Sequence, residues 1–362
     1  MAKLLHFADA HIDMSNYGQH DPRSGLPLRV MDFLKSVDTI IQTAIDEKVD
    51  LVIFAGDAYK DRSPAPTFMR EWGRRLMKLS RAQIPTLLLT GNHDISPAQM
   101  RAHSMQEFDT LQPPFLHVVS RPALLKPEDL DGAPVQVIAL PWLTRAVVSA
   151  SFQNDAAADE DPARLIEEAL SFFVQETISQ LDPDLPTILA AHASVAGAKF
   201  GKEREIMIGR DVLLQPGFVA NRRFDYVALG HIHKHQDLNP SAHPPVVYPG
   251  SIERVDFGEV METKGFVIAD VSKGHTDWEF RKLNTRKFIE LSVDLAEEDD
   301  FSAKIKAALP APEALEGAVV RLMVNFPKGL ENRIDRQGIT QLASNAFEFK
   351  LDPRPFGGTR SR

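Results

Sequence analysis

There is no cysteine in this sequence of 362 residues. Disulfides and thiolate metal sites are therefore excluded, and any bound metal must be held by His, Asp, Glu or Asn. Long apolar runs are missing as well. The longest fall far short of the roughly 20 residues that a spanning helix needs, so no membrane segment is expected. The N-terminus, MAKLLHFADAH, has one lysine, a very short apolar stretch and then an acid, which is not a signal-peptide pattern. A cytoplasmic home is expected. Positive charge is in the minority, with 41 Lys and Arg against 50 Asp and Glu, a formal net charge of −9. That total argues mildly against a nucleic-acid partner, because phosphate contacts are made mainly by Lys and Arg. Bound divalent cations would add positive charge that the total does not count. No GxxxxGK[ST] stretch is present, so any ATP-driven motion must come from a separate subunit.

What is there reads as an ordinary globular chain, 43% hydrophobic and 25% charged, long enough for more than one domain. Short apolar runs alternate with helical patterns, which predicts an α/β fold. The runs are KLLHFA, DLVIFAG, TLLLTG, VQVIAL, TILAAH and YVALGH. Between the first two, Val30, Leu34, Val37, Ile41 and Ala44 recur at steps of three and four, one face of a helix. Before the fifth, Asp161 and Pro162 suit an N-cap and a first helical residue, with Leu165, Ala169, Phe172 and Phe173 as the buried stripe. NDAAADEDP ahead of them reads as a polar surface loop. Past residue 280, KFIELSVDL, FSAKIKAAL, AVVRLMVNF, ITQLASNAF and FEFKLDP suggest strand, helix, strand, helix, strand. This is a small second domain without histidine, joined near KLNTRK and followed by a tail, GGTRSR, expected to be disordered.

Five of the six predicted strands end in groups that can bind metal. LLHFADAH ends in Asp9 and His11, LVIFAGD in Asp57, and LLLTGNHD in Asn92, His93 and Asp94. TILAAH ends in His192 and YVALGHIH in His231 and His233. VQVIALPW is the internal control, equally strand-like but ending in Pro141 and Trp142. Ligands bind at the carboxyl ends of strands in open α/β sheets. Each piece alone is a common turn or core histidine. Together they describe a metal site. Two ions about 3.5–4 Å apart can hold the attacking and leaving oxygens of a phosphoryl displacement, provided that one carboxylate bridges them. Imidazole, carboxylate and amide ligands suit manganese, iron or zinc.

In that order, Asp-x-His, Gly-Asp, Gly-Asn-His-Asp, a lone His after a strand and Gly-His-x-His resemble the calcineurin-like metallophosphoesterases over residues 4–233. HASVAGAKF and YPGSIERVDFGE are similar more narrowly to SbcD, the nuclease subunit of the bacterial SbcCD complex. The resemblance implies a metallophosphoesterase β-sandwich flanked by helices over residues 1–280 and a small α+β capping, DNA-binding domain over 285–355, with 356–362 as tail. It implies that Asp9, His11 and His233 hold one metal, that Asn92, His192 and His231 hold a second, and that Asp57 bridges them. His93 would face the scissile phosphate as general acid or charge stabiliser, with Asp94 fixing its ring. The cofactors would be two divalent ions, Mn2+ first, with Fe2+, Zn2+ or Mg2+ as alternatives. The partners would be DNA, an SbcC-type ATPase and a second copy of the chain. SbcD-like chains usually continue past the capping domain into helices that bind the ATPase, whereas this sequence stops at Arg362. Other members often have a histidine or acid where Lys60 stands, and the segment NYGQHDPRSGLP is longer than its counterpart.

Substrate contacts are expected from Lys60, Arg62, Lys199, Ser251 and Arg254, with Lys202 and Arg204 beside Lys199. Arg70, Arg74, Arg75, Lys78 and Arg81 read as a solvated helix face. His6, His20, His103, His117, His235, His243 and His275 are assigned surface or packing uses. The activity expected is DNA phosphodiester hydrolysis, exonucleolytic and possibly endonucleolytic, leaving 3'-hydroxyl and 5'-phosphate ends during double-strand break or hairpin processing. The alternative is a phosphodiesterase or phosphatase acting on small nucleotides. A scaffold subunit with a vestigial site is disfavoured, because no expected ligand is missing.

Overall fold

A strand buried on both faces reads as a nearly continuous apolar run, and the six runs above have that texture. In the computed structural model, which describes residues 1–95, 102–143, 162–201 and 213–357 and leaves out the side chains of 162–167, all six are strands. They are β1 (Ala2–Phe7), β2 (Leu51–Phe54), β3 (Thr86–Leu89), β6 (Gln136–Leu140), β7 (Thr187–His192) and β10 (Tyr226–Gly230). Around them lie β4 (Leu116–Val119), β5 (Ala123–Leu125), β11 (Gln236–Asp237), β12 (Val246–Tyr248), β13 (Gly265–Ser272) and β14 (His275–Lys282). A further short pair, β8 (Ser194–Val195) and β9 (Leu213–Leu214), stands apart.

Two sheets of six strands result, ordered β14-β13-β1-β2-β3-β4 and β11-β12-β10-β7-β6-β5. Within the first, β1 to β4 run parallel; within the second, β6, β7, β10 and β12 do. Side chains alternate between faces with period two. Leu4, Leu51, Ile53, Leu87 and Leu89 from the first sheet therefore meet Val137, Ala139, Ile188, Ala190 and Ala228 from the second. The opposite face of the first sheet carries Phe7 and Phe54, which stack toward Trp72 of α2 (Pro66–Arg81), with Phe54 and Trp72 ring centroids 5.0 Å apart. The predicted stripe of α1 (Leu28–Asp46), Val30, Leu34, Val37, Ile41 and Ala44, is buried. Behind the second sheet lies α4 (Pro162–Ile178), after the short α3 (Gln106–Leu111). Its buried residues are Ala169, Leu170 and Val174, whereas Phe172, expected inside, is 60% exposed. Phe173, also expected inside, packs partly buried against the same cluster, so the stripe runs through 169, 170, 173 and 174 and leaves out Phe172. Asp161, the expected cap, and most of the NDAAADEDP loop lie outside the described residues. No helix among them is long and apolar enough to cross a membrane.

A histidine sits buried between the two sheets. His6 is fully buried, its Nδ1 accepting from the Tyr226 hydroxyl at 3.0 Å and its Nε2–H donating to the Leu229 carbonyl at 3.1 Å. Burial pushes its pKa down to about 3, opposed by the bond to Leu229. The unfolded chain thus binds a proton on this residue between pH 6.5 and about 3 that the folded chain does not, so its contribution is present above pH 6.5 and is lost as pH falls toward 3. Denaturation of metal-free wild type and His6→Gln across this range should show the variant's deficit, on the order of a few kcal/mol at neutral pH, shrinking as the solution is acidified. A deficit independent of pH would refute this.

The chain divides into two compact units. The first, just described, comprises Met1–Met14, Val30–Glu253 and Glu262–Asn284. The second comprises Thr285–Arg362 and also takes in Ser15–Arg29 and Arg254–Met261, two segments that the sequence reading leaves with the first. Its sheet is parallel, β15 (Phe288–Asp294), β16 (Val319–Pro327) and β17 (Glu348–Phe356), with α6 (Phe301–Ala308) and α8 (Arg336–Leu342) as connections. Two helices, α5 (Pro216–Val219) in the first unit and α7 (Pro312–Leu315) in the second, are a single turn each. Tyr17, from the long NYGQHDPRSGLP segment, packs edge-on against Phe257 and Phe288, which explains why that segment belongs to the second unit. Of the tail expected over 356–362, Phe356 is instead the last residue of β17, and residues 358–362 lie outside the described residues.

Candidate metal centre

The parallel strands of both sheets finish at the same edge of the sandwich, and backbone bonds tie their ends together. Asp9 N–H donates to the Gly56 carbonyl at 2.9 Å, and Ala10 N–H to the Asp57 carbonyl at 2.8 Å. Between the sheets, His231 N–H donates to the Asp9 carboxylate at 3.0 Å, and Trp142 N–H to the Thr90 carbonyl at 2.8 Å. Such close approach explains two glycines of the motifs. A Cβ at Gly230 would run into the Ala55 carbonyl, and one at Gly91 into the Asp57 carboxylate. Asp9, His11, Asp57 and His231 all hold positive φ, at 51°, 38°, 65° and 102°. Non-glycine residues rarely adopt that region, and such strain concentrates at functional sites.

Two clusters result. Asp9, His11 and His233 each offer a ligand atom within 4.8 Å of the others, and so do Asp57, His192 and His231. Asn92 joins the second through Oδ1, 3.0 Å from His192 Nε2 and 2.9 Å from His231 Nδ1. Asp57 lies between them, its Oδ2 3.5 Å from His192 Nε2 and 4.0 Å from His11 Nε2. All seven residues implied as ligands are thus brought together, with Asp57 between the clusters.

The donor chemistry fits cations. His11 Nδ1–H donates to the Tyr59 carbonyl at 3.1 Å and His192 Nδ1–H to the Ala55 carbonyl at 2.6 Å. A carbonyl only accepts, so each neutral ring turns its Nε2 lone pair inward. His11 Nε2 then faces His233 Nε2 at 3.1 Å, and His192 Nε2 faces the oxygens of Asn92 and Asp57. Converging lone pairs repel unless a proton or a metal ion lies among them. Without metal, protons take that place. Burial disfavours an imidazolium at His192, but Asp57 and Asp9 outweigh it and lift the ring to about 9. Burial likewise opposes the Asp57 charge, yet His192, His93 and His11 hold its carboxyl well below the usual range. Asp9 is pushed up to about 7, by burial first, against His233 and His192. His11 is lowered, by burial and then by the neighbouring His233.

His93 binds differently. Its backbone N–H donates to Asp57 Oδ1 at 2.8 Å and its Nδ1–H to the Lys60 carbonyl at 2.8 Å. The ring stands edge-on to His11, centroids 5.3 Å apart. Burial lowers its pKa, partly offset by Asp57. The expectation that Asp94 orients this ring is corrected by the contacts of Asp94 itself. The fully buried Asp94 carboxylate accepts backbone N–H groups of Asp57 at 2.8 Å, Ala58 at 3.0 Å and Gly91 at 2.8 Å. It holds the Gly-Asp turn against the Gly-Asn-His-Asp turn, and the Lys60 carbonyl holds the ring. Burial and the Asp57 charge push Asp94 up to about 7, against the pull of those N–H groups. Asp94→Ala would strand three buried donors, so unfolding of the metal-free protein should become easier by about 3 kcal/mol or more. An unchanged denaturation midpoint would contradict this.

The remaining expected contacts separate. Lys60 is half-buried, and Arg62 and Lys199 are exposed. Ser251 does not face a substrate: it is fully buried, its hydroxyl donating to the Glu253 carbonyl at 3.0 Å and its N–H to the His233 carbonyl at 3.0 Å. Arg254 belongs to the second unit, where its guanidinium donates to Thr285 Oγ1 at 2.7 Å and the Arg286 carbonyl at 3.1 Å. Lys202 and Arg204 lie outside the described residues. The helix cations are tied down: Arg70, Arg74 and Arg75 bind Glu71, and Arg75 and Lys78 bind Asp38. His235 packs as expected, stacked on Phe280 at 3.8 Å with Nδ1–H donating to the Tyr248 carbonyl.

Sequence reasoning missed two contributors. Asp13 accepts the backbone N–H groups of Lys60 and Asp61, fixing the loop whose carbonyl holds His93. Its place within DAHID was the available signal. Trp142, ending the supposed control strand, lies 5.0 Å from the His231 ring and 6.0 Å from His192. A pattern of ligand-type residues has no means of finding an aromatic wall.

Residues 2–235 match the sequence profile of the calcineurin-like phosphoesterases. The chain belongs to that family. As a metallophosphoesterase it is a metal-dependent hydrolase, and its two ligand clusters fall within the matched span. The phosphoesterase is 25% identical over 349 residues to an uncharacterized metallophosphoesterase, YhaO, of Bacillus subtilis strain 168, covering 90% of this chain and 74% of that one. Among solved structures it is similar to TT1561 of Thermus thermophilus, at 14% identity and TM-score 0.42 over 77% of this chain and 98% of the other. It is also similar to a dimetal phosphatase from Danio rerio, at 11% identity and TM-score 0.44 over 78% and 96%.

Proposed function

We propose that this phosphoesterase is a two-metal DNA nuclease, cleaving phosphodiesters to 3'-hydroxyl and 5'-phosphate ends during double-strand break or hairpin processing. The observation that carries phosphodiester cleavage is the placement of His93, locked by Asp57 and the Lys60 carbonyl beside both ligand clusters and a member of neither. Asp9, His11 and His233 would hold one ion and Asn92, His192 and His231 the other, with Asp57 bridging. When bound, the pair supplies Lewis-acid charge and a water acidic enough to attack phosphorus. The protein does the rest. Backbone carbonyls of Tyr59 and Ala55 set the imidazole tautomers of His11 and His192, Asp94 fixes the two turns, and His93, in its doubly protonated form, would keep Nδ1–H on the Lys60 carbonyl and give its Nε2 proton to the departing oxygen. Mixed nitrogen and oxygen donors support manganese, with iron, zinc or magnesium as alternatives.

Support for DNA as substrate, for an SbcC-type ATPase as partner and for pairing of two copies comes from the HASVAGAKF and YPGSIERVDFGE stretches. A small nucleotide diester is the second reading, favoured by the net charge of −9. Linear duplex DNA and bis(p-nitrophenyl) phosphate, each incubated with manganese, separate them. Degradation of DNA that His93→Ala abolishes is expected. Turnover of the small diester with DNA left intact would establish the second reading.

A further inference from the structure

Lys264 is buried to 1% exposure, an unfavourable place for an ammonium group, and its surroundings show what holds it there. Its Nζ donates to Glu262 Oε2 at 2.7 Å and to the main-chain carbonyl of His233 at 3.1 Å. The same carbonyl accepts the Ser251 N–H at 3.0 Å, so both of its lone pairs are engaged. Gly250, at φ 79°, closes over it so tightly that a Cβ would stand 2.5 Å from that oxygen. His233 is thus gripped at its backbone, while its ring reaches His11 at 3.1 Å.

The placement of Lys264 along the chain matters as much. It immediately precedes β13, which pairs antiparallel with β1, His6 opposite Val267. The residues before Val267 therefore lie alongside the end of β1, from which Asp9 and His11 continue. His233 comes from the far side of the sandwich, just after β10 of the other sheet. One ammonium thus ties the sheet that delivers Asp9 and His11 to the segment that delivers His233. In the other cluster, His192 is anchored on a different group, the Ala55 carbonyl.

We propose that Lys264 is a positioning residue for the Asp9, His11 and His233 cluster, acting through the His233 carbonyl and setting the affinity of that cluster alone for a divalent ion. The inference rests on the two-metal reading and needs no particular substrate. The test is manganese binding to the metal-free full chain, followed by electron paramagnetic resonance titration, on wild type, Lys264→Met with Glu262→Gln, and His192→Ala as reference for the other cluster. The paired substitution removes the ammonium without leaving its carboxylate partner buried and charged. One of the two sites should weaken by about 10- to 100-fold, as when a group that orients a ligand is lost. The site that weakens should be the one that His192→Ala spares. Should the paired variant not fold, Lys264→Gln, which keeps a neutral donor in place of the ammonium, is expected to weaken the same site by a smaller factor. Wild-type affinity at both sites, or equal weakening of both, would overturn the proposal. Fewer than two bound ions in wild type would overturn it together with the two-metal reading. DNA left uncleaved by a chain that binds two ions would sink only the nuclease reading.

Discussion

Asp57→Asn should bind fewer metal ions than wild type and lose about 10³-fold or more in hydrolysis, while the sandwich still folds. Metal-derived charge stabilisation is worth several kcal/mol, and each 1.36 kcal/mol is tenfold in rate. Asp57 supplies the carboxylate between the clusters, its Oδ2 facing His192 and His11 and its Oδ1 accepting the His93 N–H. Asn is nearly isosteric and keeps an acceptor for that N–H, but has no charge to share between two ions. The loss of charge should also show without metal, because Asp57 is the chief reason that His192 is raised to about 9 despite its burial. In the variant, the His192 proton should be released at a lower pH, readable by NMR titration of the imidazole. Metal content measured on protein of native circular dichroism checks the first part. Near wild-type turnover with two ions still bound would show that this carboxylate does not bridge.

His93→Ala should have the opposite profile. Both clusters keep their ligands, so two ions should still bind, yet turnover of a substrate with a poor leaving group should fall by about 10²- to 10⁴-fold. The distinguishing readout is leaving-group dependence. An aryl oxygen that departs as a stable anion needs little protonation, so the defect with a p-nitrophenyl diester should be far smaller than with DNA. The geometry supports this separation: Nδ1–H is spent on the Lys60 carbonyl, which leaves Nε2 as the ring's working nitrogen. An equal loss on both substrates would assign His93 to positioning rather than proton transfer. His93→Ala with reduced metal content would place it among the ligands.

Much of this centre was legible in the sequence because its chemistry is local to strand ends. A strand buried on both faces must be apolar, and the first polar residues after it mark where it leaves the core. Asp9, Asp57, Asn92, His192 and His231 could therefore be read as one set before any contact was known. The helix stripe from Val30 to Ala44 was legible for a similar reason, since periodicity records which face is buried. What each neighbour of the ligands does was not legible. Asp94 and Ser251 are polar residues beside functional ones, and in a sequence that looks the same whether they face a substrate or a buried N–H. Only the approach of Asp57, Ala58 and Gly91 shows Asp94 to be a brace, and only burial shows Ser251 to be a support.

By itself, then, the sequence determined the class of fold, the strand ends that carry ligands and the exclusion of thiolate chemistry, since these depend on residue type and on order along the chain. The tertiary structure alone decided the imidazole tautomers set by Tyr59 and Ala55, the Trp142 wall and the grip of Lys264 on His233. Each of these joins segments from different strand ends, His11 to Tyr59 and Lys264 to His233 among them. Backbone carbonyls, which supply most of these contacts, are the same in every residue and leave no mark in a sequence.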